Sequence, residues 1–207
     1  MKSGIASNNM PWGEKVIETM LALCAALFII VIALITVFIF SKGLPIVMQV
    51  GAGDFLFNTD WRPTKGMFGI GAMVVGSLTV TLASMLWAVP LAVITSIFMA
   101  EIAPRQVGKI LGSLVELLAG IPSVVYGFVG LLTVVPFIRS YLGGNGMSVL
   151  AGAIILGIMI LPTVINISRD SILAVPREYK ENSLALGASP YQTIARVIIP
   201  AARSGII

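Results

Sequence analysis

Residues 16–40 read VIETMLALCAALFIIVIALITVFIF, a run whose only charge, Glu18, stands at its start. A helix over this stretch is long enough to cross about 30 Å of hydrocarbon with some tilt. Three further apolar runs follow, at about 69–98, 110–137 and 147–167. Charged residues make up 11% of the chain and hydrophobic ones 57%, where soluble domains carry about 25% charge. The expected fold class is therefore an all-α integral membrane protein with four visible spans.

Composition also removes several functions. The single cysteine, Cys24, lies inside the first run, so no intrachain disulfide is expected. Histidine is absent and no cysteine sits with carboxylates, which argues against a metal site. There is no nucleophile–base pair, no close acidic pair within a span and no phosphate-binding loop motif. The expectation is a non-catalytic chain with no cofactor of its own. No secretory signal is evident, because the first run is too long for one and lacks a cleavage site.

Between the runs, residues 1–15 form a short polar segment, with Trp12 suited to the membrane interface. Residues 41–68 read as a polar and aromatic external loop. Its Phe55, Phe57 and Trp61 suit either a plain surface loop resting on the bilayer or a docking surface for an outside partner. Met99–Lys109 and Arg139–Gly146 are short connections. With the N-terminus inside, the inner segments hold nine of the Lys and Arg residues and the outer ones four. The positive-inside rule thus places the N-terminus and everything after the fourth span in the cytoplasm.

The runs carry a few polar and helix-breaking residues. Thr79, Thr81 and Ser84 in the second suit bonds to helix carbonyls or to a neighbouring helix, and Pro90 suggests a kink. The third contains Glu116 and then AGIPSVVYGFVG. A carboxylate within a span defaults to a functional hypothesis, whereas its nearness to the inner end favours water or pairing with Arg105 or Lys109. Around Pro122, Ser123 and Tyr126 are candidates for lining a pathway, with a packed kink as the competing reading. The fourth run is broken by Pro162, and its Gly152 and Gly157 suit close helix packing. Arg169, just beyond, reads either as a pathway residue or as an interfacial anchor. No Lys or Arg is expected within a span interior.

The stretch Pro176–Arg203 differs from all of this: PREYKENSLALGASPYQTIARVIIPAAR. Pro176 is a favoured first helical residue, and Gly187 stops the helix as a left-handed residue would. Ser189 and Pro190 restart it as N-cap and first residue. Ile194, Val197 and Ile198 then share one face. Two short amphipathic helices joined by a glycine turn are expected on the water side of the membrane.

Glu181, Gly187 six residues on and Pro200 thirteen further resemble the EAA loop of ABC-importer permeases. That loop reads Glu-Ala-Ala, three residues, Gly, nine residues, Ile, any residue, Leu, Pro. Asn182 and Ser183 replace the two alanines here, Val197 the isoleucine and Ile199 the leucine. The plain alternative is an ordinary helical hairpin between spans. Beyond the loop, Gly53–Pro63, Ala100–Arg105, Glu116–Leu131 and Leu161–Ser189 resemble the PstC-type permeases of phosphate importers. Part of the Gly-Ile-Pro-Ser-Val-Val-Tyr-Gly run is shared with their PstA-type sisters.

What the resemblance implies is a MetI-like ABC permease fold with six spans, of which four are visible. Residues 1–15 would be a cytoplasmic segment and 16–207 the permease domain, lacking its C-terminal spans. Its partners would be a PstA-like sister permease, two PstB-like ATPases that bind the ATP, an outer phosphate-binding protein and the lipid bilayer, with no nucleic acid. Coupling to the ATPases would fall to Glu181, Leu184, Gly187, Ala188, Ser189, Pro190 and Pro200 in the cytoplasmic loop 176–203. A translocation path would use Ser123, Tyr126 and Arg169. Two other readings stand beside it: a permease for another oxyanion or small solute, and a membrane scaffold or sensor that moves none.

Overall fold

A computed structural model describes residues 12–206, so most of the expected N-terminal segment lies outside the described residues. The described residues form a helical protein in two compact units, divided at Met73/Val74. Four helices are long and apolar enough to cross a membrane: Trp12–Val50, Gly71–Ile102, Ser123–Leu142 and Val149–Leu173. The expected number of spans is therefore met, with different bounds.

The first unit is built on α1 (Trp12–Val50), which has no buried residue. It runs ten residues past the expected end, so 41–50 are helix and not loop. The sequence after Phe40 is punctuated only by Gly43 and Pro45, and Leu44, Ile46, Val47 and Met48 keep it apolar. Pro45 removes one helical hydrogen bond without ending the helix. Gly51, at φ +89°, does end it, where a side chain would be strained.

The rest of the expected loop is also ordered. α2 (Ala52–Phe57) leads to a small hairpin, β1 (Trp61–Arg62) against β2 (Met67–Phe68), with Trp61 opposite Phe68. Their rings meet edge to face at 5.8 Å, a favoured aromatic geometry. A 3₁₀ turn at Pro63–Lys65 and left-handed Gly66 close the hairpin. Gly69 and Gly71 let the chain return over Asn58: the Gly71 N–H donates to the Asn58 carbonyl at 2.9 Å. A side chain on Gly71 would press on the Phe57 carbonyl at 2.9 Å.

In the second unit, α3 (Gly71–Ile97) passes Pro90 as one helix and widens into a π turn at Phe98–Ile102. Its hydroxyls bond back along the helix, Thr79 to Val75, Thr81 to Ser77 and Ser84 to Thr81, at 2.7–2.8 Å. The expected third span is corrected: 110–137 is two helices, α4 (Arg105–Ala119) and α5 (Ser123–Leu142). Pro122 cannot continue α4 and instead caps α5, with an extended ψ of 138°. α4 buries Gly108, Gly112 and Val115 and is amphipathic, so α5 alone is the third candidate span.

α6 (Val149–Leu173) is the centre of this unit. Pro162 does not break it; the residue is buried within a helix that runs six residues beyond the expected end. Arg169 therefore lies inside α6, near its end. Large side chains fit against small ones along α6. Trp87 of α3 covers Gly157 and donates its indole N–H to the Ala153 carbonyl at 3.3 Å, and Ile155 of α6 fills the space left by Gly130 of α5. Val80 lies 3.3 Å from where a Gly152 side chain would begin. An apolar cluster of Ala92, Met99, Val115 and Ile165 joins α3, α4 and α6.

Candidate functional site

Beyond α6 the chain folds into the expected pair of short helices. α7 (Arg177–Ala185) starts after Pro176, which is its cap and not its first residue, because its ψ of 134° is extended. At the other end Gly187 has φ +82°. The Gly187 N–H donates to the Leu184 carbonyl at 3.0 Å and the Ala188 N–H to the Ser183 carbonyl at 3.2 Å. These two bonds form a complete Schellman stop, which satisfies carbonyls that the end of a helix otherwise leaves unpaired.

The restart is equally determined. The Ser189 hydroxyl accepts from the Gln192 N–H at 3.3 Å, and the Gln192 side-chain oxygen accepts from the Ser189 N–H at 2.9 Å. This reciprocal capping box opens α8 (Pro190–Thr193). The helix that starts there is not continuous to Arg203. A π turn at Ile194–Ile198 precedes α9 (Ile199–Ala201) and α10 (Arg203–Ile206). Pro200 explains it: proline offers no N–H and crowds the carbonyl four residues back, and the widened turn, with Ile199 N–H bonded to Ile194, relieves that crowding.

The segment is anchored from below. Ile172, Ile198 and Ala202, each at most 3% exposed, form its core, with Ile97, Ala100, Val175, Ile194 and Ile206 around them. α10 lies so close to α6 that a side chain at Gly205 would collide with Ser171. Ser183, read in sequence only as a replaced alanine, shares a 3.0 Å hydrogen bond with the buried Thr193 and so ties α7 to α8.

One ion pair, the only one among the described residues, joins Lys180 of α7 to Glu101 in the π turn after α3. It is lopsided, with the Glu101 side chain 10% exposed and that of Lys180 43%. Neither residue stands out in sequence, since they lie 79 positions apart and no periodicity links them. The pair borders a cavity of about 590 Å³ also lined by Arg105, Arg177, Glu181 and Leu184.

The remaining expected site residues divide into two groups. At the tip, Glu181, Leu184, Gly187, Ser189 and Pro190 are exposed and Ala188 is half-buried. Beside them Leu186 is 89% and Tyr191 76% exposed, an apolar tip on an otherwise polar segment. Pro200 is exposed farther along, next to the π turn. Ser123 and Tyr126 stand at the start of α5, where the Tyr126 hydroxyl donates to the Leu118 carbonyl at 2.9 Å and closes the α4–α5 break. Arg169 packs its guanidinium over Gly112 of α4, 3.2 Å from where a side chain there would begin. Its Nε is buried with no hydrogen-bond partner among the described residues. No hydrogen bond joins these three to one another there. Glu116 is exposed on α4 and forms no salt bridge with Arg105 or Lys109.

Residues 92–207 match the family of binding-protein-dependent transport system inner membrane components. The chain belongs to this family. It is a multi-pass membrane protein of the ABC transporter permease type, in keeping with its four apolar helices. Among its relatives is the "Probable ABC transporter permease protein YqgH" of Bacillus subtilis, 45% identical over 86% of this chain and 60% of that protein. The phosphate transport system permease protein PstC of Mesorhizobium japonicum is 34% identical over 74% of this chain and 53% of its own length. The PstC of Haemophilus influenzae is 28% identical over 96% and 69%. The chain thus spans somewhat more than half the length of the first two relatives. No solved structure matches it.

Proposed function

We propose that this permease is part of an ATP-driven phosphate importer and couples to a separate ATPase through the tip around Gly187. The observation that carries the coupling role is the tip itself. Leu186 and Tyr191 are held out to solvent between a Schellman stop and a capping box, so apolar docking groups stand on a rigid main chain. Phosphate is supported by the relatives named as phosphate transport permeases.

In this reading residues 16–207 act as the permease domain, and the chain catalyses nothing. A PstA-like sister completes the pore, two PstB-like ATPases bind and hydrolyse the ATP, and an outer binding protein delivers the phosphate. The excess of Lys and Arg orients the coupling segment and α4 towards the cytoplasm. Ser123, Tyr126 and Arg169 offer weak contacts along the path. Weak contacts suit a permease that must release what it receives. The Tyr126 proton is already engaged by Leu118, which leaves its oxygen a poor anion partner and makes Arg169 the strongest of the three.

A second solute keeps a place beside phosphate, because the 45% identical relative carries a permease name without a substrate. The test is radiolabelled phosphate uptake in cells lacking their own importer, with the permease and its transport subunits present as wild type, Gly187→Asp and Arg169→Ala. Uptake that resists excess sulfate and is lost in Gly187→Asp, with insertion intact, is expected. The left-handed backbone disfavours a side chain at Gly187 by roughly 1 kcal/mol or more. No phosphate uptake by the assembled wild type would turn the reading to another solute, or to a scaffold or sensor that moves none. Unchanged uptake in Arg169→Ala would remove that residue from the path.

A further inference from the structure

The coupling segment touches the rest of its unit in two ways that differ in kind. The apolar cluster of Ile172, Ile198 and Ala202, with Ile97 and Ala100, is non-directional. On the segment's side it is built from the π turn at Ile194–Ile198, Ala202 and Ile206 of α10, and α7 gives no residue to it. The Lys180–Glu101 pair is directional, and Glu101 is carried by the π turn that ends α3. In that turn the Ala103 N–H reaches the Phe98 carbonyl, five residues back, at 2.7 Å. Pro104 follows, so the wide turn and its carboxylate are built in by the sequence.

We propose that Glu101 and Lys180 are the positioning residues of a clamp that ties the coupling helix to the end of the second span. Movement of the tip is passed to α3 through them. The inference rests on the coupling reading above and names the route inside this chain. The apolar half gives adhesion and the ion pair gives register. Without the pair, α7, which buries no residue, keeps no charged tie to α3 and can move while α3 stays behind.

The charged neighbours decide which variant tests this. Arg105 and Arg177 line the same cavity, as does Glu181. Removing Lys180 alone therefore leaves Glu101 two other cations to turn to. Glu101→Lys is the sharper change, because it sets like charges against Lys180 and against both arginines. Glu101→Gln keeps the shape and removes only the charge, and it serves if the lysine variant fails to insert.

The experiment uses the permease with its transport subunits and reads two quantities, phosphate uptake and uptake per ATP hydrolysed. Glu101→Lys is expected to lower uptake per ATP by about tenfold, within the range of ordinary coupling energies, while hydrolysis continues. Glu101→Gln should fall in between. The reversed pair, Glu101→Lys with Lys180→Glu, should recover most of the loss, a rescue that mere destabilisation would not produce. A Glu101→Cys, Lys180→Cys variant on a Cys24→Ser background should be joined by a short thiol cross-linker. Unchanged uptake per ATP in Glu101→Lys or Glu101→Gln, or a reversed pair no better than the single variants, overturns the clamp. A wild type without ATP-driven uptake would sink the coupling reading instead. The cross-link then still decides whether the two residues meet.

Discussion

α1 and α6 are both long apolar helices, and they treat their surroundings in opposite ways. α1 is apolar over nearly its whole circumference and buries nothing among the described residues. α6 carries Ala151, Ala153, Gly157, Pro162, Ile165, Ser168 and Ile172 as buried positions. The difference lies in side-chain size. In lipid, large apolar residues gain nothing by leaving the acyl chains, whereas small ones let a neighbouring helix approach closely. α1 from Val16 to Phe40 has four alanines but no glycine, so its recesses are shallower than those of α6. Apolar character says that a helix enters the membrane; small residues say what it packs against there.

Three substitutions break or sharpen this contrast. Gly157→Leu should have the largest effect, because Trp87 occupies the space that any side chain there would need. Overpacking of that kind costs about 1–3 kcal/mol or more, measurable as a lowered unfolding midpoint in mild detergent. Trp87→Phe should cost less, about 0.5–1.5 kcal/mol, the net worth of the single hydrogen bond to Ala153. Leu27→Ala in α1 should change stability by no more than about 0.5 kcal/mol, since it is an exposed position on a helix that buries nothing. A large loss in Leu27→Ala together with a tolerant Gly157→Leu would invert the contrast and show that α1 is covered by a partner.

Much of this was legible in sequence because hydrophobic runs, Gly and Pro act locally. The four spans, the left-handed Gly187 and the cap at Ser189 all depend on neighbours within a few residues. The third span lies at Ser123–Leu142 and not at 110–137 for a physical reason. ILGSLVELL continues the apolar character of the following helix, and Gly120-Ile-Pro122 looks like a kink in one span. Glu116 was the clue that α4 is an amphipathic helix of its own: its buried side runs through Gly108, Gly112 and Val115 while Lys109 and Glu116 stay exposed. The Glu101–Lys180 pair had no such local clue. It depends on α3 and α7 meeting in space, and nothing near either residue announces the other.

The π turn at Ile194–Ile198 also has a consequence for length. Ile194, Ile198, Ala202 and Ile206 all reach the same cluster at intervals of four. On an ideal helix of 3.6 residues per turn that spacing would walk about 120° around the axis by the last of them. The widened turn and the short breaks after it take up the drift. The number of residues between Thr193 and Ala202 is therefore constrained as tightly as their chemistry. One residue fewer would rotate everything beyond by about 100°, turning an apolar anchor towards water without changing its composition.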